Sequence, residues 1–149
     1  MGALSPVFSA PSTDLCDGET VTISLTVTDP CGLSATDSVT VRVRNVNSAP
    51  SVELGASLCV LEGGSLVLSP QVFDPEGDRL AYVWTTTAGQ LSDRCSISPM
   101  FIASMIEDCE GQDIVATLTV TDPCGLSASD SVVIRVENVN RPPSVHADP

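Results

Sequence analysis

The stretch VTDPCGLSATDSVTVRVRNVN at residues 27–47 returns 93 residues later as VTDPCGLSASDSVVIRVENVN at residues 120–140, and 17 of the 21 positions are identical. The correspondence continues upstream, where LSPVFSAPSTDLCDGETVTISL (4–25) aligns without a gap with ISPMFIASMIEDCEGQDIVATL (97–118). Solenoid repeats have periods of about 20–50 residues, so this longer period indicates a complete small domain. We therefore expect the last three strands and the linker of one repeat at 1–49, a complete repeat at 50–142, and the start of another at 143–149.

Apolar and polar side chains alternate along several short segments of the complete repeat. Within 113–121 every second residue, from Ile114 to Val120, is apolar, and Trp84 shares a predicted strand face with Leu80 and Tyr82. Half-buried antiparallel strands produce this period of two, and turn sequences separate the segments. We predict an all-β protein made of immunoglobulin-like (Ig-like) β-sandwich repeats in tandem. The seven strands of the complete repeat are predicted at 51–60, 65–72, 80–86, 90–94, 97–103, 112–121 and 129–137.

Two stretches of this repeat resemble known extracellular families. FDPEGDRLAYVWTTTAG (73–89) and LTVTDPCGLSASDSVVIRVENVNRPP (118–143) resemble PKD-type and related bacterial Ig-like repeats, which carry an Asp-Pro-Asp-Gly-Asp loop before a Tyr-x-Trp strand. They are also similar to cadherin repeats, which have Asp-rich loops and an Asp-x-Asn-Asp-Asn linker before Ala-Pro. The linker here is Asn-Val-Asn, with fewer carboxylates than in cadherins. The resemblance implies an extracellular protein, secreted or at the cell surface.

The charge of the chain narrows the range of partners. The formal net charge is −13, and all six basic residues are arginines. Nucleic acids and anionic membrane surfaces attract basic patches, so neither is an expected partner. No apolar run approaches the about 20 residues of a membrane span, so we expect no membrane insertion. The one histidine, His146, has no nearby Ser/Asp or Cys partner in the repeat pattern, and we expect no catalytic activity.

The loops at one end of the predicted sandwich carry many oxygen ligands. Calcium takes six to eight such ligands, and alternating loop carboxylates provide them. The linker of the preceding repeat, and the loop before the second-last strand of that repeat, should reach the same end of the complete repeat. The predicted calcium ligands are Asp74, Glu76, Asp78, Asp122, Asn45, Asn47, Asp14 and Asp17. The alternative is that Asp-Pro-Glu-Gly and Asp-Pro-Cys-Gly are only β-turn sequences.

A matching set of polar residues is predicted at the opposite end of the complete repeat. It has the composition of half a calcium site and would face a following repeat. Its members are Glu62, Glu107, Asp108, Glu110, Asn138 and Asn140.

The six cysteines are widely spaced, which favours disulfides in an oxidising compartment over a zinc site. Cys109 and Cys124 flank a strand of about 25–30 Å, whereas a disulfide needs Cα atoms within about 7 Å. We therefore predict Cys59–Cys109 and Cys95–Cys124, with four free thiols as the alternative. Cys16 and Cys31 should be free or bonded to another chain.

These observations predict a structural or adhesive tandem module of a large extracellular protein, with calcium at the junctions between repeats. One alternative is a carbohydrate- or protein-binding accessory module of a secreted hydrolase, and another is a spacer without metal. Neighbouring repeats of the same protein are the expected partners. Because residues 1–47 lack the strands that would cover their apolar face, we also expect self-association through this half repeat.

Overall fold

The computed structural model describes residues 5–11, 13, 16–140 and 142–146. Every regular secondary-structure element assigned in these residues is a β-strand. These residues include no helix that is long and apolar enough to cross a lipid bilayer. The chain divides into two compact units, Met1–Asn47 and Ser48–Pro149. We call them the first and the second unit.

The first unit contains one antiparallel hairpin. Strand β1 (Glu19–Thr28) pairs with β2 (Ser34–Val43), from Glu19 opposite Val43 to Thr28 opposite Ser34. Its turn is closed by backbone hydrogen bonds, with the amide of Asp29 donating to the carbonyl of Leu33 at 2.9 Å. The two strands form a sheet of their own.

The described residues of the second unit form nine strands in two layers. One layer is a four-stranded sheet in the order β4, β11, β10, β7, and the other consists of the pair β3–β6 and the sheet β5–β9–β8. The strands are β3 (Ser51–Glu53), β4 (Leu58–Leu61), β5 (Ser65–Val67), β6 (Gln71–Phe73), β7 (Ala81–Thr86), β8 (Gln90–Leu91), β9 (Met100–Ile102), β10 (Gln112–Thr121) and β11 (Ser127–Glu137). The prediction of an all-β Ig-like sandwich is confirmed.

The first predicted strand is divided between the two layers. Its beginning, β3, pairs with β6, and its continuation, β4, pairs in parallel with β11. Gly55 lies between the two pieces with φ of +78°, a backbone conformation that favours glycine. The second predicted strand is likewise divided into β5 and β6, with the buried Leu68 between them.

The core of the second unit lies between the layers. Alternate residues of β10, from Ile114 to Val120, are almost completely buried, as are Trp84 from β7 and Phe101 from β9. The ring nitrogen of Trp84 donates to the carbonyl of Ser96 at 3.0 Å, so its polar atom is satisfied inside the core. The period of two therefore identified the buried face correctly.

The two hairpins of the chain have the same pairing register. In the second unit Gln112 lies opposite Val136 and Thr121 opposite Ser127, and each of these residues lies 93 positions after its counterpart in β1 or β2. The repeated sequence therefore forms a hairpin with the same strand pairing in both units.

Candidate functional site

The loops at 74–80 and 122–126 lie at the same end of the second unit. Strand β7 begins directly after the first loop and β10 ends directly before the second. Ala81 lies opposite Thr121 in the register of these neighbouring strands. The two aspartates that open the loops, Asp74 and Asp122, are both buried.

Asp122 forms the turn that it opens. Its Oδ1 accepts the amides of Cys124 at 2.8 Å and Leu126 at 2.9 Å, and its carbonyl accepts the amide of Gly125 at 3.2 Å. Gly125 has φ of +91°, which a residue with a side chain adopts only with strain. Asp29 holds the equivalent turn of the first unit in the same way. The turn-forming role that the sequence left as an alternative is therefore present, and metal binding by Asp122 stays a prediction.

Asp74 forms a similar turn but differs in one atom. Its Oδ1 accepts the amides of Glu76 at 3.1 Å and Asp78 at 3.0 Å, and its carbonyl accepts the amide of Gly77 at 3.2 Å. Its Oδ2 is buried and has no hydrogen-bond partner among the described residues. Since the side chain is only 9% exposed, water does not readily supply the missing donor.

The other predicted ligands of this site are placed differently. The carboxylate of Glu76 accepts both the amide and the hydroxyl of Ser48, each at 3.0 Å. In the first unit Asp17 is exposed, Asn45 and Asn47 are half-buried, and Asp14 lies outside the described residues. Within the described part of the chain, no three His, Cys, Asp or Glu side chains form a group that could hold a metal ion.

At the opposite end of the second unit, Glu62 joins two segments of backbone. Its Oε2 accepts the amide of Ile106 and its Oε1 accepts the amide of Val139, both at 2.9 Å. These two bonds hold the pKa of the Glu62 carboxyl below its ordinary value, and the bond from Ile106 has the larger effect. Asn138 adds a bond from its Nδ2 to the carbonyl of Ile106 at 3.0 Å. Glu62 and Asn138 thus fix the chain where it leaves β11.

The remaining members of that predicted half-site do not join this cluster. Asp108 accepts the amide of Glu110 at 2.9 Å and closes its own turn. Glu107 and Asn140 are exposed. A calcium half-site at this end stays a prediction.

Asp130 is a structural residue that the sequence reasoning missed. Its Oδ2 accepts the amide of Leu54 and its Oδ1 that of Ser131, both at 2.8 Å. The bond from Leu54, followed by that from Ser131, lowers the pKa of Asp130. Asp130 of β11 thereby holds the backbone at Leu54, where the first predicted strand passes from one layer to the other. An aspartate inside a strand is unfavourable unless its carboxylate is used, and this was the available signal.

Both predicted disulfides are wrong, because Cys59, Cys95 and Cys109 are free and exposed. Strand β11 separates β4, which carries Cys59, from β10, which follows Cys109. Two strand spacings are about 9–10 Å, beyond the about 7 Å that a disulfide spans.

Cys95 lies too far along the sandwich from Cys124 for the second predicted bond. The carbonyl of Arg94 accepts the amide of Trp84, which lies opposite Leu118 in the middle of β10. The end of β10 is about 10 Å further, and Cys124 lies beyond it.

Three cysteines remain, Cys124 in the second unit and Cys16 and Cys31 in the first. In the second unit Cys124 is disulfide-bonded, though not to Cys95. Cys16 and Cys31 were predicted to be free or bonded to another chain; in the first unit Cys16 is disulfide-bonded and therefore not free, whereas Cys31 is free and exposed.

No family model and no curated protein matches the sequence. Among solved structures, the chain is similar to a nucleoside hydrolase-related hypothetical protein from Saccharophagus degradans that is associated with carbohydrate metabolism. The TM-score is 0.53 at 25% identity, over 61% of this chain and 26% of that one. The chain thus spans about a quarter of the length of that protein.

Two further solved structures have lower scores. The PKD domain of the KIAA 1837 protein gives a TM-score of 0.46 at 21% identity, over 68% of this chain and 99% of that one. The SrpA adhesin of Streptococcus sanguinis gives 0.39 at 7% identity, over 64% of this chain and 57% of that one.

Proposed function

We propose that the chain is a structural or adhesive Ig-like module of a secreted or cell-surface protein, and that its second unit binds Ca²⁺ at Asp74. The observation that carries the calcium proposal is the buried Oδ2 of Asp74, which lacks a hydrogen-bond donor. The disulfide-bonded Cys124 supports an oxidising compartment outside the cytosol.

A buried carboxylate oxygen without a partner is costly. Breaking or omitting the partner of a buried polar group costs about 1–3 kcal/mol, and more for a charged one. The two amides on Oδ1 satisfy half of the Asp74 carboxylate. A cation on Oδ2 would satisfy the other half.

Calcium fits this position better than other cations. Ca²⁺ accepts carboxylates, backbone carbonyls and water in a flexible arrangement, so it does not require three carboxylates in contact. Glu76 and Asp78 follow in the same loop and add negative charge. Asn45, Asn47, Asp14 and Asp17 stay predictions as further ligands. With few carboxylates per site, we expect a dissociation constant of about 10⁻⁴–10⁻³ M, as in extracellular modules.

The test is thermal unfolding of the second unit, followed by the fluorescence of Trp84, the one tryptophan of the chain. Calcium at ten times its dissociation constant should add about 1.4 kcal/mol, since stabilisation equals RT ln(1 + [L]/Kd). For a unit of about 100 residues this raises Tm by about 5–10 °C. Asp74→Asn keeps the oxygen that accepts the two turn amides but replaces the proposed ligand atom, so it should abolish most of the shift.

The matched control is Asp29→Asn, which makes the same change in an Asp-Pro-x-Gly turn of the first unit and should leave the shift intact. Magnesium at equal ionic strength controls for screening of the negative charge. If calcium raises Tm no more than magnesium, or raises it equally in Asp74→Asn, the metal-free spacer is the better account of the acidity.

A second candidate function is recognition of a carbohydrate or protein on the outer side of β3 and β6. Phe73 is 64% exposed there, beside Ser51, Glu53 and Gln71, which offer hydrogen-bonding groups next to an aromatic ring. The similarity to a protein associated with carbohydrate metabolism favours this candidate. Binding to a panel of oligosaccharides that is lost in Phe73→Ala, at unchanged Tm, would support it.

A further inference from the structure

The hairpin of the first unit exposes, in its half nearer the turn, an apolar face that the second unit buries. Leu25 is 66% exposed and its counterpart Leu118 is 0% exposed; Val39 is 58% exposed and its counterpart Val132 is 3% exposed. The pairing register and the spacing within each hairpin are equal, so the difference comes from what covers the face. Towards the open end of the hairpin the same face is covered, since Val43 is buried and Val41 half-buried. Single exposed apolar residues are common, whereas neighbouring exposed apolar residues on two paired strands, here Leu25, Val27 and Val39, indicate an interaction surface.

From this comparison we propose that the β1–β2 hairpin is a docking surface for a polypeptide segment with the strand pattern of residues 51–103. In the second unit that segment supplies β3 to β9, and it provides Leu68, Trp84 and Phe101 to the core around β10 and β11. The occupant is therefore a chain of short strands that carries an aromatic residue opposite Leu25, as Trp84 lies opposite Leu118.

The outer edges of the hairpin strands are a second reason to expect an occupant made of strands. In the second unit, β10 pairs on its outer edge with β7, and β11 pairs on its outer edge with β4. Among the described residues, β1 and β2 pair only with each other. Both outer edges thus present backbone donors and acceptors to an incoming strand.

A single side chain provides a third, polar point of attachment. Asp130 accepts the amide of Leu54 from the strand that crosses it, in addition to the amide of Ser131. Its counterpart Asp37 accepts the equivalent amide of Ser38 at 2.8 Å. Asp37 is exposed, and among the described residues its hairpin pairs with no strand that corresponds to the one after which Leu54 lies. The hairpin therefore carries the apolar face, the edges and the carboxylate with which the second unit holds its remaining strands.

A second copy of the hairpin would cover this face poorly. Two strands of ten residues present a face of about 330 Å², from a rise of about 3.3 Å per residue and a width of about 10 Å. A stable interface buries about 800 Å² on each partner. Incoming strands can pair with the edges as well as cover the face, so they bury more than hairpin against hairpin.

The test is a titration of the full chain with a separately prepared polypeptide of residues 48–111, in which the three cysteines are replaced by serine. The tryptophan of this probe is in water when the probe is free, whereas Trp84 of the full chain is already buried. Docking should therefore produce a saturable blue shift of the probe fluorescence with one probe bound per chain.

Variants of the hairpin identify the surface that binds. Leu25→Asp places a charge on the proposed face and should weaken binding at least tenfold, and Asp37→Ala should weaken it about fivefold. Thr26→Asp changes the neighbouring residue on the other face of β1 and should alter the affinity less than twofold. Since all three positions are exposed in the chain alone, none of these changes should unfold it.

Three outcomes would overturn the proposal. One is the absence of a saturable shift. Another is equal binding by Leu25→Asp and the unaltered chain, which would place the probe elsewhere, for example in the second unit. The third is a dimer of the full chain in sedimentation that Leu25→Asp dissociates, which would make a second copy the occupant.

Discussion

Replacing Leu118 by Ala, and in a second variant Leu25 by Ala, makes the same change at two positions 93 residues apart. Leu118 is 0% exposed, lies opposite Trp84 and contributes to the core between the layers, whereas Leu25 is 66% exposed. A buried Leu→Ala change costs about 2–5 kcal/mol, because the transfer energy of the lost carbons and the energy of the cavity add. An exposed substitution stays within about 0.5 kcal/mol.

The two variants should therefore differ sharply in thermal unfolding followed by the fluorescence of Trp84. For a unit of about 100 residues, 1 kcal/mol corresponds to about 4–8 °C, so Leu118→Ala should lower Tm by at least about 8 °C. Leu25→Ala should change it by less than about 3 °C. Equal shifts in the two variants, or a shift below 3 °C for Leu118→Ala, would refute the account of the core and of the exposed hairpin face.

Two further predictions concern the second unit. The pKa of Glu62 is lowered from 4.5 and that of Asp130 from 3.8 by accepted amide hydrogen bonds. A carboxyl whose pKa is lower in the folded state stabilises the fold above its unfolded pKa and ceases to do so as the pH falls through the folded value. Tm should thus fall as the pH drops below about 4.5, and Glu62→Gln should flatten this dependence in an acid titration by circular dichroism. Gly89→Ala should cost about 2–5 kcal/mol in urea unfolding, because φ is +75° and a Cβ would lie 2.6 Å from the ring of Phe101. Gly125→Ala, with φ of +91° and no atom within 4 Å of the Cβ, should cost only about 1–2 kcal/mol, and equal costs at the two glycines would contradict the steric argument.

The sequence predicts the fold well where side-chain pattern and structure depend on the same alternation. The bounds of β10 agree with the prediction at 112–121, because a strand buried on one face alternates along its full length. The pattern cannot show that one run of residues changes partners. Residues 51–60 were predicted as one strand, although β3 and β4 join different layers on either side of Gly55. The positive φ of that glycine is a tertiary requirement that alternation does not encode.

The roles of the polar residues were harder to predict, because the sequence does not show which oxygen of a carboxylate accepts a hydrogen bond. Asp74 and Asp122 follow the same Asp-Pro-x-Gly pattern and make the same two turn bonds, yet the structure distinguishes them by the unpaired Oδ2 of Asp74. Glu62, a predicted metal ligand, also joins two segments of backbone, and composition alone did not show this role. The cysteine pairing failed for a similar reason, since spacing along the chain does not include the strand β11 that lies between β4 and β10.

The parallel pairing of β4 with β11 determines how the second unit responds to tension. Ile134 lies opposite Leu58 and Glu137 opposite Leu61, so the strand near the beginning of this unit runs beside the strand near its end. When the two ends of the unit are pulled apart, the load acts along both strands and across their hydrogen bonds. The bonds of such a ladder bear the force at the same time, whereas a hairpin pulled from its open end loses its bonds one after another. The arrangement suits a chain segment that transmits pulling forces between its two ends.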